Sequence, residues 1–590
     1  MKATPWGFRD ILPEEALVRE RIQEAFRAHM RGHGYLPVET PLIEDPSSLD
    51  TEGREVDAPF KLFDDDGRLL VVRPDNTPPI ARLVATRLST AELPLRLRYE
   101  APVVRAQARD SGAARQFTQL GFELIGCGGA AGDVEMVSLV ADVLRALELP
   151  SWRIVCGSVR PFLELLARCA DDALARDALA LVHANNFVDL DARLADSAVP
   201  EPLRRALSAL PRLSGGRETL DRVDELTATA GIEEPQTAEL RALLDGMSSA
   251  AALSSAGAPA VDEAISFDFS LMNSFDYYTG LVFKAYAGES ADPVGSGGRY
   301  DATFDGVLAA APCVPAAGFA FSLERLADAC ASGGDAGMGA VGVADTAPRA
   351  PLRIAVPKGS LKGGTVEALE AAGFDASELR DPGRRLIVRG ADRRDGMGPD
   401  AVGDVEFVIV RATDAPAFVA GGGADCGFCG RDSLIEADLK LLELIDMGYG
   451  ACRFIEAEPA GRAGAAERAY ARRGTLRVAT KYPRIARAWY ERRGIAADIV
   501  TLHGNIELGP IVGMTDRIVD ITATGTTLAE NDLVVTGEIM ECTARFFANP
   551  GRARLDPRVL ALARQPACPP RTVTGVLREL PRFVRDALSC

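Results

Sequence analysis

The sequence contains no uninterrupted apolar run long enough to span a bilayer, and its first ten residues contain no apolar core typical of a secretion signal. We therefore expect a cytoplasmic protein that does not enter a membrane. Histidine is scarce, with four residues, and we find no Ser-His-Asp or Cys-His arrangement with persuasive spacing. We expect these histidines to be structural.

Positive charge is also in deficit, with 66 Lys and Arg residues against 84 Asp and Glu residues and a net charge of -18. Broad nucleic-acid binding requires Lys and Arg to neutralise phosphates, so this balance disfavours it. The 11 cysteines are scattered through the chain, which indicates reduced thiols. Cys426 and Cys429 form a C-x-x-C with no second ligand pair nearby, and we expect packed side chains there rather than a zinc or redox site.

The length and composition indicate a soluble protein of several domains. A chain of 590 residues is too long for one hydrophobic core, and 47% hydrophobic with 25% charged residues is typical of globular proteins. Residues 331–350 are rich in Gly and Ala without a regular apolar period. We interpret them as a linker between residues 1–330 and residues 351–590.

The two parts have different patterns. Residues 1–330 begin with an amphipathic helix at Pro13–Gly32, continue with short strands and a helix-rich region, and contain a predicted glycine turn at Gly295–Tyr300. This pattern predicts an α+β domain on an antiparallel sheet. In residues 351–590 strands and helices alternate, which predicts an α/β domain with a largely parallel sheet and two lobes. Ligands in such folds bind beyond the carboxyl ends of the strands.

One stretch of the second part, Ile518–Leu528, combines a predicted buried strand with a loop of one acid, four threonines and a glycine. Backbone N–H groups and Thr hydroxyls can donate to a phosphate, and Gly525 permits a close approach of the backbone. Asp520, at the end of the strand, can accept hydrogen bonds from sugar hydroxyls. The alternative is an ordinary Thr-rich turn capped by Asp520.

This loop resembles the phosphoribosyl-pyrophosphate (PRPP) loop of phosphoribosyltransferases. Five further stretches precede it in order: RIAVPKGSL (353–361), VRATDAPAFV (410–419), GADCGFCGRD (423–432), VATKYP (478–483) and GNIELGP (504–510). As a set they resemble the catalytic subunit of ATP phosphoribosyltransferase, a two-lobed α/β, periplasmic-binding-protein-like fold. The sequence ends before the extra regulatory domain of the long form, so we expect the short form, which depends on a separate regulatory subunit.

The resemblance implies that adenine N1 of ATP attacks C1 of PRPP and releases pyrophosphate, with Mg²⁺ carried by the substrates. Charge develops on the pyrophosphate and the ribose, so fixed cations and backbone donors should matter more than a strong base. The resemblance assigns Glu507 and Asp520 to the ribose hydroxyls. It assigns Arg384 and Arg411 to the pyrophosphate, and in a homo-oligomer a neighbouring subunit can supply these arginines. Further residues are assigned to the PRPP 5′-phosphate (Thr524, Gly525, Thr526 and Thr527) and to ATP or phosphates (Lys358, Gly359, Asp425 and Asp432).

Several of these assignments have plain alternatives. Either Arg384 or its neighbour Arg385 can be merely solvated, Lys358 can be an ordinary surface residue, and Asp425 and Asp432 can be loop caps. Two alternative functions also remain: a phosphoribosyltransferase for a free nucleobase, and a two-lobed ligand-binding sensor without catalysis.

The first part resembles the catalytic domain of histidyl-tRNA synthetase, which implies a class II synthetase-like antiparallel sheet. The stretches that carry the resemblance are VRPDNT (72–77), YEAPVVR (99–105), QFTQLGFE (116–123), FDYYTG (275–280), GGRYD (297–301) and GFAFSLER (318–325).

Two substitutions argue against aminoacylation. The synthetase carries an arginine three residues before Asp-Tyr-Tyr, where this chain has Asn273, and a neutral amide cannot stabilise the charge that develops on the α-phosphate. The acid of the Arg-Pro-Glu motif is Asp75, which is one methylene shorter. The second half also stands where the synthetase has its anticodon-binding domain. The sequence therefore resembles the regulatory subunit of short-form ATP phosphoribosyltransferase, which does not charge tRNA, fused to its catalyst.

The resemblance also implies an effector site. The residues that match the amino-acid pocket of the synthetase are Asp75, Arg105, Gln119, Glu123 and Tyr278. An acid and amides suit an α-ammonium and an imidazole, and an arginine suits a carboxylate, so we expect histidine to bind there as a feedback inhibitor. The alternative is that these polar residues only hold the sheet together.

Overall fold

The structure is a computed structural model, and it describes residues 4–48, 59–107, 114–149, 151–253, 264–271, 278–288, 292–304, 314–332, 350–392, 402–462, 464–522 and 526–563. Most of the predicted linker lies outside these residues, as do Asn273, Thr524 and Gly525. The chain divides into two compact units, an N-terminal unit (Met1–Ala184 and Asp189–Ala347) and a C-terminal unit (Asn185–Val188 and Pro348–Cys590). No helix among the described residues combines the length and the hydropathy needed to cross a bilayer.

Strands and helices of the N-terminal half are mixed in the order that the sequence predicts. The strands are β1 (Leu36–Pro37), β2 (Ile43–Glu44), β3 (Phe60–Phe63), β4 (Leu69–Val72), β5 (Leu95–Val104), β6 (Gln116–Ile125), β7 (Trp152–Ser158), β8 (Ser214–Gly215), β9 (Ile265–Asp268), β10 (Leu281–Ala287), β11 (Gly295–Arg299) and β12 (Ala316–Ser322). The α-helices are Pro13–Gly32, Thr77–Arg87, Gly129–Ala146, Arg160–Leu166, Asp172–His183, Phe187–Ala195, Glu201–Ala209, Arg217–Thr229, Ala238–Leu253 and Leu323–Ser332.

Nine of these strands form one sheet, in the order β1-β5-β6-β12-β11-β10-β7-β9-β8. Its pairs are antiparallel except for β1 with β5 and β7 with β9. This confirms the predicted antiparallel α+β architecture. A smaller sheet has the order β2-β4-β3.

The helix Pro13–Gly32 was predicted with the bounds that the structure has. It begins with a proline in its first turn and with Glu14 and Glu15, whose charges suit the positive end of the helix dipole. Ile22, Phe26 and Met30 recur every four residues and are all buried, so one face of the helix packs into the core.

The predicted glycine turn at Gly295–Tyr300 is wrong, because Gly295–Arg299 is the strand β11. Its glycines leave room for neighbouring side chains and are not needed for a turn. A Cβ on Gly295 would lie 2.6 Å from the ring of Phe319, and a Cβ on Gly298 would lie 2.6 Å from the ring of Tyr278.

Two sheets build the C-terminal unit. The strands are β13 (Leu352–Pro357), β14 (Ile387–Ala391), β15 (Asp404–Val410), β16 (Cys426–Gly430), β17 (Leu442–Asp446), β18 (Cys452–Pro459), β19 (Leu476–Thr480), β20 (Ala497–Thr501), β21 (Arg517–Thr522), β22 (Leu533–Cys542) and β23 (Ala544–Ala548). The α-helices are Lys362–Ala371, Ser377–Arg380, Ala415–Ala420, Arg431–Ala437, Ala465–Arg473, Pro483–Glu491, Leu508–Ile511, Thr526–Glu530, Pro550–Leu555 and Pro557–Ala563.

The first sheet has the order β14-β15-β13-β16-β23-β17, and the second has the order β20-β19-β21-β18-β22. Both are mixed, so the predicted largely parallel sheet is wrong. Parallel pairing is confined to β13 with β15 and β16, and to β19 with β20 and β21. The sequence predicts strands at residues 352–356, 405–410, 476–479, 498–502 and 518–521, which correspond to β13, β15, β19, β20 and β21. The other six strands, β14, β16, β17, β18, β22 and β23, were not predicted, and they have antiparallel partners.

The predicted C-x-x-C segment is the strand β16. Both thiols are fully buried, and Cys429 belongs to a core cluster with Ala355 and Phe547. Burial raises the pKa of both thiols well above the usual value, which is expected of packed, unreactive cysteines.

Candidate functional site: a cleft of carboxylates and a lysine

Lys481 and Asp520 lie at the carboxyl end of the parallel part of the second sheet. Thr480 of β19 is in register with Val519 of β21, so the next residues along the two strands are Lys481 and Asp520. The charge of Lys481 lowers the pKa of Asp520, which means that the two side chains are close enough to interact. Ligands of α/β folds bind at this edge of a sheet.

Asp520 has an unusual titration for an aspartate. Burial of the carboxyl raises its pKa to about 6, and the charge of Glu507 acts in the same direction. The N–H of Ile521 donates to Oδ1 at 2.8 Å, and this hydrogen bond and Lys481 both act to lower the pKa. The carboxyl is therefore ionised near neutral pH and can accept hydrogen bonds.

The matching edge of the first sheet presents two cations and an acid. Lys358 follows β13 and Arg411 follows β15, and the N–H of Lys358 donates to the carbonyl of Val410 at 2.7 Å. Both side chains are exposed, and neither makes a hydrogen bond or an ion pair with another described residue. Asp432, which follows β16, is buried, and burial raises its pKa above the usual value.

Lys481 connects the two edges electrostatically. Burial raises the pKa of Asp432, from the first sheet, and of Asp520, from the second, and the charge of Lys481 acts against the increase in both. Burial raises the pKa of the neighbouring Tyr482, and the charges of Asp432 and Asp520 add to the increase. The structure thus brings together a set that we call the carboxylate–lysine cluster: Asp432, Lys481, Glu507 and Asp520.

Other predicted residues lie elsewhere. Asp425 precedes β16 and so lies at the amino end of that strand, where it accepts from the N–H of Arg353 at 2.8 Å and lies 3.4 Å from Arg552 Nε. Its partners account for it as a structural residue. Arg384 is exposed in the loop before β14, and its neighbour Arg385 pairs with Glu378 at 2.7 Å.

Gly359, which was assigned to ATP or phosphates, has a φ of +86° and begins a turn of 3₁₀ helix directly after Lys358.

The predicted PRPP loop is described in part. Thr526 begins the short helix that follows the loop, Thr527 is exposed, and Leu528 is buried in a core cluster with Ile518. The strand predicted before the loop and the helix predicted after it are therefore present, while residues 523–525 lie outside the described residues.

A buried ion network holds the strand that carries Asp520. Arg517 begins β21 and binds Glu456 at 3.2 Å and Glu458 at 3.1 Å, both on the neighbouring strand β18. Tyr490 donates to Glu456 as well, and Thr536 donates to it at 2.8 Å. Burial acts to lower the pKa of Arg517, but the charge of Glu456 and the hydrogen bond to Glu458 raise it overall. The network fixes β21 against its neighbours.

Of the predicted effector residues in the N-terminal unit, Glu123 of β6 is fully buried. Its carboxyl accepts from Thr77 Oγ1 at 3.2 Å, from the Tyr99 hydroxyl at 3.4 Å and from the Tyr300 hydroxyl. Burial raises the pKa of Glu123 to about 8, and the charge of Asp75 adds to the increase. A carboxyl with that pKa is largely protonated at neutral pH when the pocket is empty.

The remaining pocket residues are tied to one another. Gln119 Oε1 accepts from Asn76 Nδ2 at 2.7 Å. Arg105 lies 3.5 Å from Asp75 and donates to the carbonyl of Pro74 at 2.9 Å. These contacts bring Asp75 and Arg105 together, while Gln119 and Glu123 face one side of β6, four residues apart.

Glycines clear the space around this pocket. Gly318 of β12 is in register with both Glu123 and Gly298, so the three residues form a row across the sheet. A Cβ on Gly318 would lie 1.7 Å from the carboxylate of Glu123. Tyr278, whose ring lies over Gly298, packs against the cluster that contains Tyr99.

Sequence reasoning missed several of these residues as individuals. Lys481 and Tyr482 belong to the VATKYP stretch, and Thr77, Tyr99 and Tyr300 belong to stretches that carry the synthetase resemblance, but none received a role. The position of Lys481 directly after a strand, like that of Arg411, was a signal in the sequence that could have identified it. No group of three or more His, Cys, Asp or Glu side chains in the described part of the chain is arranged to hold a metal ion.

Comparisons with known proteins divide the chain in two. Residues 7–326 match the family model of histidyl-tRNA synthetase, and residues 411–565 match that of ATP phosphoribosyltransferase. An ATP phosphoribosyltransferase of Rubrobacter xylanophilus is 49% identical over 204 residues, which are 35% of this chain and 89% of the relative. An ATP phosphoribosyltransferase regulatory subunit of Moorella thermoacetica is 37% identical over 330 residues, which are 55% of this chain and 80% of the relative.

A solved structure gives the same result for the fold. The crystal structure of an ATP phosphoribosyltransferase regulatory subunit/histidyl-tRNA synthetase from Bacillus halodurans has a TM-score of 0.50 and 27% identity. The match covers 65% of this chain and 91% of that chain. The chain therefore belongs to the histidyl-tRNA synthetase family over residues 7–326, where its relatives include ATP phosphoribosyltransferase regulatory subunits, and to the ATP phosphoribosyltransferase family in its C-terminal half.

Proposed function

We propose that this chain catalyses the transfer of a phosphoribosyl group from PRPP to N1 of the adenine of ATP, the first step of histidine biosynthesis. The bond from ribose C1 to pyrophosphate breaks and a bond from C1 to adenine N1 forms. The observation that carries the proposal is the carboxylate–lysine cluster, which combines Asp432 from the edge of the first sheet with Lys481 and Asp520 from the edge of the second, within a unit that belongs to the ATP phosphoribosyltransferase family.

The acids of the second sheet suit the ribose. Asp520 is held by the N–H of Ile521 and, with a pKa of about 6, offers an ionised carboxylate at neutral pH. Glu507 is near enough to raise that pKa, so the two carboxyls form a pair of acceptors for neighbouring ribose hydroxyls. Thr524, Gly525, Thr526 and Thr527 then hold the 5′-phosphate at the start of the helix Thr526–Glu530.

The cations of the first sheet suit the pyrophosphate. Lys358 and Arg411 stand at the ends of adjacent parallel strands, exposed and without an acidic partner among the described residues. A cation that is not neutralised by the protein is available to stabilise negative charge that develops on a leaving group. Arg384 is exposed in the same way, and in a homo-oligomer it can serve a neighbouring subunit.

Magnesium fits this cleft as a companion of the substrate. The charge of Glu507 raises the pKa of Asp520, so these two carboxylates repel one another, and Lys481 acts on both Asp432 and Asp520. A divalent cation carried by the pyrophosphate relieves that repulsion and, when bound, neutralises charge on the leaving group. The side chains orient the ribose, and Lys481 balances the acids from both sheets.

The two sheets of the C-terminal half act in this proposal as two lobes of a periplasmic-binding-protein-like fold, with the substrates between them. We assign residues 351–590 to the catalytic domain, residues 331–350 to a linker and residues 1–330 to the regulatory domain.

The regulatory domain binds histidine and inhibits the transferase. Support comes from the relatives named as regulatory subunits, from the hydroxyls that donate to Glu123, and from the Gln119 amide and the Asp75–Arg105 pair among the same set of predicted residues. For inhibition, histidine must favour a less active arrangement of the chain by differential affinity, typically 1–3 kcal/mol of coupling. With Asn273 in place of an arginine, this domain does not activate histidine or charge tRNA.

Two assays test the proposal. In the first, purified chain is incubated with ATP, PRPP and Mg²⁺, and phosphoribosyl-ATP is followed by its absorbance. Folded protein that forms no phosphoribosyl-ATP contradicts the catalytic part of the proposal. Adenine or guanine in place of ATP tests the alternative of a free nucleobase as acceptor. Histidine-dependent exchange of pyrophosphate into ATP is measured on the same preparation. We expect none, and clear exchange would show that the synthetase chemistry survives.

A further inference from the structure

The helix Pro483–Glu491 lacks a cap of its own. It begins with a proline, and the residue before it, Tyr482, provides no side-chain hydrogen bond to its first turn. The first N–H groups of a helix have no partner within the helix, and proline has no N–H at all. The N–H groups of Arg484 and Ile485 therefore need an acceptor from elsewhere.

Glu436 supplies that acceptor from another part of the fold. Its carboxylate accepts from the N–H of Arg484 at 3.0 and 3.1 Å and from the N–H of Ile485 at 3.3 Å. Glu436 lies on the helix Arg431–Ala437, which follows β16 of the first sheet, whereas the capped helix follows β19 of the second. Arg484 also pairs with Asp438 at 2.5 Å, so the same two segments meet twice.

The two joined helices carry the two sides of the cleft. Asp432 lies in the first turn of Arg431–Ala437, four residues before Glu436. Lys481 lies two residues before the capped helix, and its charge acts on Asp432. A movement of either helix relative to the other changes the distance between Asp432 and Lys481.

We propose that Glu436 is a positioning residue for phosphoribosyl transfer: by capping the helix Pro483–Glu491 across the cleft, it fixes Lys481 of the second sheet against Asp432 of the first. Glu436 itself does not touch substrate. The inference rests on the proposed function, because its effect on turnover is expressed through the carboxylate–lysine cluster.

The kinetic test compares three variants with the wild type. Glu436→Ala removes the cap, and we expect kcat/KM for PRPP to fall about tenfold, the scale of one lost helix cap. Glu436→Gln keeps an oxygen acceptor and should stay within about threefold of the wild type. The control is Glu491→Ala, an exposed acid at the other end of the same helix, which should behave as the wild type.

A double-mutant cycle separates positioning from a general loss of stability. If Glu436 acts through Lys481, then Glu436→Ala should cost little more in a Lys481→Met background. A further tenfold loss in that background, or unchanged kcat/KM in Glu436→Ala alone, would overturn the proposal.

Hydrogen–deuterium exchange of the segment 483–491 gives a readout without turnover. In Glu436→Ala the exchange of this segment should rise at least about tenfold, while Glu491→Ala leaves its first turn unchanged. Unchanged exchange in Glu436→Ala means that the cap is not made in solution and overturns the inference. If the wild type forms no phosphoribosyl-ATP, the proposed function is wrong and so is the positioning role. The exchange result still decides whether the cap exists.

Discussion

The pH dependence of PRPP use should report on Asp520. The structure raises the pKa of this carboxyl from 3.8 to about 6, which corresponds to about 3 kcal/mol against the ionised form. The ionised form is the one that accepts hydrogen bonds from the ribose. At pH 5 only about one molecule in eleven carries it, so kcat/KM for PRPP should be about tenfold below its plateau above pH 7.

Substitutions of two neighbouring residues should move the acidic limb of this pH profile, the range in which kcat/KM falls, in opposite directions. The charge of Glu507 raises the pKa of Asp520 and that of Lys481 lowers it. Glu507→Gln should therefore shift the limb to lower pH, and Lys481→Met should shift it to higher pH. Opposite shifts distinguish Asp520 from a phosphate of the substrate, which also titrates near 6 but does so equally with every variant.

The assay is kcat/KM for PRPP between pH 5 and pH 8.5, at saturating ATP and Mg²⁺, with wild type and both variants. A limb that stays at the same pH in both variants would refute the assignment to Asp520. The same group predicts a loss of stability: since the folded chain binds this proton more tightly than the unfolded chain, Asp520 costs stability as the pH rises from about 4 to about 6.

Three further results are expected. Arg411→Ala should lower kcat about 10²–10³-fold, because it removes charge stabilisation of the leaving pyrophosphate; an unchanged kcat in steady-state assays would make the arginine structural. Arg517→Met leaves Glu456 and Glu458 buried without their cation, which lowers the free energy of unfolding by about 3–5 kcal/mol. Calorimetry should therefore show the unfolding temperature of the C-terminal unit at least about 6 °C lower, and an unchanged unfolding temperature would contradict the role of the network. Glu123→Gln should weaken histidine binding at least about tenfold in calorimetric titration. The affinity of the wild type for histidine should rise between pH 7 and pH 8 as the carboxyl ionises. Equal histidine affinity in the variant and the wild type would show that histidine binds at another site.

Elements with a strong local pattern could be predicted from the sequence. The helix Pro13–Gly32 was predicted at the bounds that it has, because apolar spacing and flanking residues mark it. The strand that carries Asp520 was recognised for the same reason, with a short apolar run before a hydroxyl-rich loop.

Features that depend on contacts between distant segments were not predictable. Gly295–Arg299 looks like a turn because glycine is common in turns, and its function in a strand is evident only beside the rings of Phe319 and Tyr278. The strands β22 and β23 return to sheets formed much earlier in the chain, so nothing local marks their antiparallel pairing.

The candidate sites follow the same division. Arg411 directly follows β15 and Asp520 lies near the end of β21, and both come after apolar runs that are visible in the sequence. The meeting of Asp432 with Lys481 across two sheets, and the cap from Glu436 to a helix that begins 47 residues later, depend on tertiary packing. Resemblance to known families supplied the chemistry that the pattern alone left open.

The central claim is that one chain contains both the phosphoribosyl transferase and the domain through which histidine controls it. The most direct measurement is the initial rate of phosphoribosyl-ATP formation by the purified chain, with ATP, PRPP and Mg²⁺, as histidine is titrated in, for the wild type and Glu123→Gln. We expect histidine to suppress the rate in the wild type, with the half-inhibitory concentration raised at least about tenfold in Glu123→Gln. A chain that forms no phosphoribosyl-ATP, or a rate that histidine leaves unchanged in the wild type, would contradict it.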